Sequence, residues 1–199
     1  MNDIYVKLIE YLPFYGSIIY KQKKRIRREM REMRGALTLE DKEQAADLIF
    51  EKIESMEEFR NAQNILIYWS TKNEVPTHRV VRKWSSYKQI LLPSVEGSKL
   101  TIKPYLSEHL MKTGALNIME PDTDQVHLDS IDMVIVPAVA FDNDLNRLGR
   151  GKGFYDRFFH KIHVTKIGIG YDFQLVDKIP AMTSDAKMDR IVTPNKTIG

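Results

Sequence analysis

The chain has no cysteine, which removes disulfide scaffolds, thiol nucleophiles and every zinc or iron–sulfur site that needs a thiolate, and suits a reducing cytoplasm. It has no excess of one charge. The 30 Lys+Arg stand against 27 Asp+Glu and leave +3, too balanced for composition alone to point to nucleic acid or a membrane surface. It also lacks an apolar run of the roughly 20 residues that a buried membrane span needs. Ile4 to Tyr20 comes nearest, but Lys7, Glu10, Pro13 and Gly16 interrupt it. Asp3 stands where a signal peptide would be positive, and no small-residue cleavage site follows. Residues 1–21 are therefore set apart as an N-terminal extension, read as a short helix packed on the domain or on a partner, or else as disordered. No repeat, low-complexity tract or linker follows, so residues 22–199 read as a single domain, long enough to bury about 70% of its unfolded surface without a staple.

What is present is an alternation of helical and strand patterns. Ile26, Met30, Met33 and Leu37 recur at helical spacing between Lys, Arg and Glu, on a basic helix ending near Gly35. Thr38 with a carboxylate three residues on predicts a capped second helix, continued by Ala45, Leu48, Ile49, Ile53, Met56 and Phe59. Ile65 to Trp69 is apolar without alternation, the mark of a strand covered on both faces. A helix near His78 to Ser86, a strand from Gln89 to Leu92 stopped by Pro93, and strands at Leu100–Tyr105, Asp132–Val136 and Lys166–Tyr171 follow, with a helix from Phe154 to Ile162. This order predicts a three-layer α/β/α domain, Rossmann-like, with a largely parallel sheet.

The richest stretch follows the Asp132–Val136 strand. A polar loop, Asp142 to Asn146, leads into Arg147-Leu148-Gly149-Arg150-Gly151-Lys152-Gly153 and then an apolar helix starting Phe154-Tyr155-Asp156. Glycines allow positive φ and close backbone approach, and free N–H groups near a helix start attract anions. Three interleaved cations, Arg147, Arg150 and Lys152, would repel one another beside a neutral ligand but be neutralised by a polyphosphate. The pattern is neither a P-loop nor the dinucleotide fingerprint. It points to a nucleoside triphosphate or another phosphorylated anion. A carboxylate beside a phosphate site asks for a divalent metal between them, which makes Asp156 a magnesium candidate. The five histidines show no metal-ligand spacing.

Residues 147–157 resemble the signature of the 5-formyltetrahydrofolate cyclo-ligase (methenyltetrahydrofolate synthetase) family. Lys23-x-x-Ile26-Arg27 resembles its amino-terminal Lys-x-x-Leu-Arg, and Glu74-Val75-Pro76-Thr77 its Glu-Val-Asp-Thr segment. Leu92-Pro93, Glu120-Pro121, Val136-Pro137, Tyr171-x-x-Gln174, Ile179-Pro180 and Asp185-x-x-x-Asp189 fall in the same order, so the likeness covers residues 22–199. The resemblance implies closure of 5-formyltetrahydrofolate to 5,10-methenyltetrahydrofolate with ATP and magnesium, giving ADP and phosphate through a phosphorylated formyl intermediate. It implies ATP contacts from Lys23, Arg27, Arg147, Leu148, Gly149, Arg150, Gly151, Lys152, Gly153, Phe154 and Tyr155. Folate contacts would come from Arg27, Glu74 and Arg150 to Phe154, metal ligation from Asp156 and Asp185, and catalysis from Arg150, Lys152 and Tyr155. Glu74 would accept N–H groups of the pterin. The partners implied are small molecules only, without nucleic acid or membrane, for a cytoplasmic monomer.

Three departures stand out. Leu145 occupies a position where the family often has glycine, so the loop must turn differently or use Asn143 or Asn146 as its left-handed residue. Phe154 replaces a usual tyrosine, and Pro76 a usual acid. Two other readings compete: a nucleic-acid-binding module using the basic helix Lys21 to Arg34 and the glycine loop as phosphate contacts, and a phosphate-sugar or nucleotide binder without the ligase step. Tyr68, Trp69 and Tyr105 are candidates for stacking on a pterin or for the core, with Tyr68 assigned to the core.

Overall fold

The computed structural model describes residues 13–97, 99–114, 116–183 and 185–199; the reading of residues 1–12 lies outside them. Helix α1 (Pro13–Ala36) passes without a break through the position at which the sequence separated extension from domain. Its buried stripe is Ile19, Ile26, Met30 and Arg34, while Met33, expected there, is 43% exposed. The stripe ends on a step of four residues rather than three, which brings Arg34 inward. Ile26 and Met30 pack with Val139, Ala140, Leu148 and Ile179. That contact fixes where the neighbouring Lys23 and Arg27 point.

Helix α2 (Leu39–Ser55) opens with the expected box: Thr38 Oγ1 accepts from Asp41 N at 3.1 Å, and the Asp41 carboxylate accepts from Thr38 N at 2.9 Å. Its inner face is Ala46, Ile49, Phe50 and Ile53, whereas Leu48, expected inside, is exposed. Met56 is extended and breaks the helix, so Phe59 sits on a separate α3 (Glu57–Asn61) rather than on one continuous helix.

Strand β1 (Asn64–Leu66) is shorter than expected, although Ile67 N–H still donates to Leu91 O at 3.0 Å. After it come α4 (His78–Trp84), β2 (Gln89–Glu96), β3 (Lys99–Pro104), a hairpin of β4 (Met111–Thr113) and β5 (Met119–Pro121), and β6 (Met133–Pro137). A second hairpin, β7 (Ala140–Phe141) and β8 (Arg147–Leu148), precedes α5 (Phe154–Phe159), β9 (Thr165–Ile169), β10 (Arg190–Val192) and β11 (Thr197–Ile198). The main sheet has the order β11-β10-β9-β6-β1-β2-β3. Pairing is parallel from β10 through β2, and antiparallel only at the two edges.

Pro93 does not stop β2. Gln89 and Leu91 bond toward β1, so Pro93, in the same phase, faces the side on which β1 has already ended and forfeits no ladder bond. Helix α5 ends three residues early, at Phe159, and β9 ends at Ile169 rather than Tyr171. Both sheet faces are covered. Ile65, Met133, Ile135 and Ile167 pack toward α2, α3 and α4, while Leu66, Val134, Val136 and Ile191 pack with Phe158 and Phe159 of α5. Double coverage is why these strands read as unbroken apolar runs.

Candidate active site

A cavity of about 510 Å³ opens where β1 and β6 end, the usual place for a ligand in a parallel sheet. Into it come Tyr68, Trp69 and Glu74 after β1, Pro137 and Ala138 at the end of β6, and Pro93 and Val95 from the far half of β2. All of the site residues expected from the sequence line this one cavity: Lys23, Arg27, Glu74, Arg147 through Asp156, and Asp185. One end is cationic and glycine-rich. The other is apolar, built from Trp69, Val95, Leu100, Leu116 and Ile118, with a second carboxylate, Glu120.

The glycine loop is held by a residue that sequence reading passed over. Asp142, fully buried, accepts from Asp144 N and Asn146 N through Oδ1, and from Asn146 Nδ2 and Ile179 N through Oδ2, at 2.8–3.0 Å. This closes the turn before Arg147. The left-handed residue in it is Leu145 itself, at φ 65°, and neither Asn143 nor Asn146. Leu145 accepts that conformation because its N–H bonds Asp142 O, its carbonyl accepts from Met188 N, and its side chain packs on the Val134 face of the sheet. Further on, Gly151 (φ 96°) and Gly153 (φ 64°) take backbone shapes that side chains rarely adopt. Gln174 Nε2 donates to Ala138 O and Val139 O, both at 2.9 Å, and steadies the chain leaving β6. At six residues α5 is too short to contribute much dipole, so the anion-binding capacity rests on the loop.

Three of the cavity's cations are already matched with carboxylates. Lys23 Nζ lies 2.7 Å from Asp185 Oδ2, and Arg147 Nη2 lies 2.8 Å from Asp156 Oδ1. Arg150 Nη2 reaches Glu74 Oε1 at 2.7 Å and Thr71 Oγ1 at 2.9 Å. Thr71 in turn donates its N–H and hydroxyl to Glu74 Oε2. Arg27 Nε donates to Gly149 O at 2.9 Å, tying α1 to the loop. Arg147 Nε is buried with no acceptor, and its guanidinium stands 5.4 Å from the centre of the Tyr155 ring. Lys152 is exposed at the rim and has no ion-pair or hydrogen-bond partner among the described residues. The basic run on α1 is thus divided: Lys23 and Arg27 face the cavity, and Arg34 is buried.

Tyr68 is packed in the core at the cavity wall, its hydroxyl donating to Val75 O at 3.0 Å, and half-buried Trp69 lines the cavity between His78 and Tyr105. Tyr171, whose hydroxyl donates to Glu74 O at 3.0 Å, sets the height of the Glu74 loop. Burial pushes the phenols of Tyr68, Tyr155 and Tyr171 above their ordinary value of 10.0. Tyr155 is therefore a neutral donor at physiological pH and not a base. The folded chain holds these three protons more tightly than the unfolded chain, so the stability they confer is complete below pH 10 and falls above it. The expected slope is about 1.4 kcal/mol per pH unit per tyrosine. Melting temperatures measured between pH 9 and 11 should drop steeply, and less steeply in Tyr155→Phe; equal slopes in the two would contradict this assignment.

Magnesium fits the carboxylates present. Asp156 and Asp185 each give one oxygen to a cation, and the other accepts no bond among the described residues. No group of three or more His, Asp or Glu among the described residues makes a cage. One or two carboxylates completed by water and substrate phosphates is what this ion takes.

The sheet, the cavity at its carboxyl ends and the cationic glycine loop define an α/β ligand-binding enzyme domain. Residues 19–194 match a family model described as the 5-formyltetrahydrofolate cyclo-ligase family. The chain belongs to that family, and so to the ligases of folate metabolism. It is 31% identical over 170 residues to the 5-formyltetrahydrofolate cyclo-ligase of Haemophilus influenzae, covering 80% of this chain and 91% of that one. With the Escherichia coli protein of the same name it shares 29% over 177 residues, covering 84% and 97%. The solution structure of Aquifex aeolicus 5,10-methenyltetrahydrofolate synthetase superimposes with a TM-score of 0.81 at 29% identity, covering 88% of this chain and 91% of that one. Among the described residues no helix is long and apolar enough to cross a membrane.

Proposed function

We propose that the cavity binds ATP at its glycine-rich end and 5-formyltetrahydrofolate at its apolar end, and closes the folate ring at the expense of ATP. The observation that carries this is convergence: α1, the loop after β1, residues 147–156 and Asp185 are far apart in sequence and line one cavity with a cationic end and an apolar, carboxylate-bearing end. A formamide oxygen is a poor leaving group. In this reading it attacks the γ-phosphorus, ADP departs, and N5 and the formyl carbon become a phosphorylated iminium. N10 then attacks that carbon and gives up its proton, the carbon–oxygen bond breaks, and phosphate leaves with the former formyl oxygen.

Such a transfer depends on placement and on stabilising charge. Lys23 and Arg27 reach the phosphates from α1, and residues Arg147 to Gly153 wrap them with main-chain N–H groups and cations. Lys152, uncommitted, meets the γ-phosphate, and the neutral Tyr155 hydroxyl donates to a phosphate or formyl oxygen. When the anion takes over Arg150, Glu74 is released to accept an N–H of the folate. Asp156 and Asp185 would hold magnesium in the same way, once phosphate competes for Arg147 and Lys23. The chemistry that ion supplies when bound is neutralisation of phosphate charge. A cytoplasmic monomer is part of the same proposal, and sedimentation of the purified chain tests the monomeric state.

The test is a cuvette containing the purified chain, 5-formyltetrahydrofolate, ATP and magnesium, followed by the near-ultraviolet absorbance of the methenyl product. Absorbance that rises only with ATP supports the reading, and none with all components present overturns it. A heavy-oxygen label in the formyl group should be recovered in inorganic phosphate; recovery in water would exclude the phosphorylated intermediate. Asp156→Asn should shift the magnesium titration to higher concentration, and an unchanged titration would remove Asp156 from the metal.

A further inference from the structure

Glu120 on β5 is 5% exposed, yet it lines the same cavity as Glu74. Its Oε2 accepts from Ser94 Oγ at 2.6 Å and its Oε1 from Val95 N at 3.2 Å. No cation among the described residues pairs with it, and no hydrogen bond or ion pair links it to the glycine loop. Burying a carboxylate without a counter-ion costs free energy, and two donors leave acceptor capacity on both oxygens. The site around it is shaped to admit the carboxylate. A Cβ on Gly114 would overlap the Glu120 carboxylate, so a side chain there would force that group to move. The hairpin that carries Glu120 adds no strand to the main sheet. Its contribution to the cavity is this carboxylate, together with Leu116 and Ile118 between its strands.

We propose that Glu120 is a specificity residue that accepts the 2-amino and N3–H donors of the pterin ring. The proposal rests on the folate reading above and deepens it. N5 and N10 are the reacting atoms and must face the γ-phosphate, hence the glycine loop. Glu74, bonded to Arg150 of that loop, lies on the reacting side. The 2-amino group and N3–H project from the opposite edge of the bicycle and need a carboxylate away from the loop, among apolar walls that exclude water. Glu120 is the carboxylate of the cavity so placed. Paired donors on one carboxylate favour this edge over ligands that present an acceptor there.

The test is a cycle between protein and ligand, read as binding by titration calorimetry without ATP. The ligands are 5-formyltetrahydrofolate and its analogue with hydrogen in place of the 2-amino group; the proteins are the natural chain and Glu120→Gln. Removing either partner should weaken binding about 10- to 100-fold, and removing both should cost little more than removing one. The KM for ATP should stay the same. Losses that multiply across the cycle would show that Glu120 only staples the hairpin to β2, and would overturn the proposal while leaving the folate reading standing. Failure of the natural chain to bind the parent compound would overturn both. If melting curves show that Glu120→Gln does not fold, Glu120→Asp, which withdraws the carboxylate by one methylene, completes the same cycle.

Discussion

Lys152→Ala is expected to lower kcat by roughly 10²-fold or more with no change in melting temperature. The two halves of that result have one cause. Lys152 is exposed and has no partner among the described residues, so its removal costs the resting fold nothing. In the proposed transition state its ammonium would stand against the transferring phosphoryl group, where its loss removes charge stabilisation that the resting fold does not use. Arg150 differs: it already bonds Glu74 and Thr71, and its replacement would both disturb the Glu74 loop and remove a phosphate contact. Steady-state kinetics and a thermal melt on the same Lys152→Ala preparation check the prediction. Retention of full kcat would mean that the phosphates lie elsewhere.

Asp142→Ala should show the opposite pattern, a loss of stability of about 3 kcal/mol or more accompanied by loss of activity. Its carboxylate satisfies three main-chain N–H groups and the Asn146 amide in a fully buried position. Alanine would leave those donors unpaired at about 1–3 kcal/mol for each one that water cannot reach. It would also free the turn that keeps Leu145 left-handed and aims Arg147 at the cavity. Asp142→Asn keeps one acceptor oxygen and should lose less. Denaturant unfolding of the three proteins tests this order, and equal midpoints would show that the turn does not depend on Asp142.

The parallel sheet was legible because strands covered on both faces leave unbroken runs such as Val134-Ile135-Val136, which few other arrangements explain. The hairpins β4/β5 and β7/β8 were not, since strands of two or three residues are too short to show a period. Pro93 misled for a physical reason: a proline breaks a ladder only where its missing N–H has a partner, and whether β1 reaches that far is a tertiary fact. The glycine loop was legible through its charges and spacing, and its residues do line the cavity. How those charges are paired was not. Lys23 with Asp185, Arg147 with Asp156 and Arg150 with Glu74 join residues whose separation carries no local pattern. For the same reason Glu120, read only as part of the Glu120-Pro121 pair, and Asp142, read only as the start of a polar loop, were given no role; burial, which gives each its role, follows from how distant strands assemble. Leu145 shows the limit of local rules, as a residue unsuited to a left-handed turn is held there by Asp142 and Met188.

The most direct measurement is a crystal structure of the chain with a non-hydrolysable ATP analogue and 5-formyltetrahydrofolate bound together. The γ-phosphate should lie against Lys152 and the main chain of Gly149 to Gly153, with the formyl oxygen facing it. A triphosphate seated outside that loop, or a formyl group turned away from it, would contradict the account.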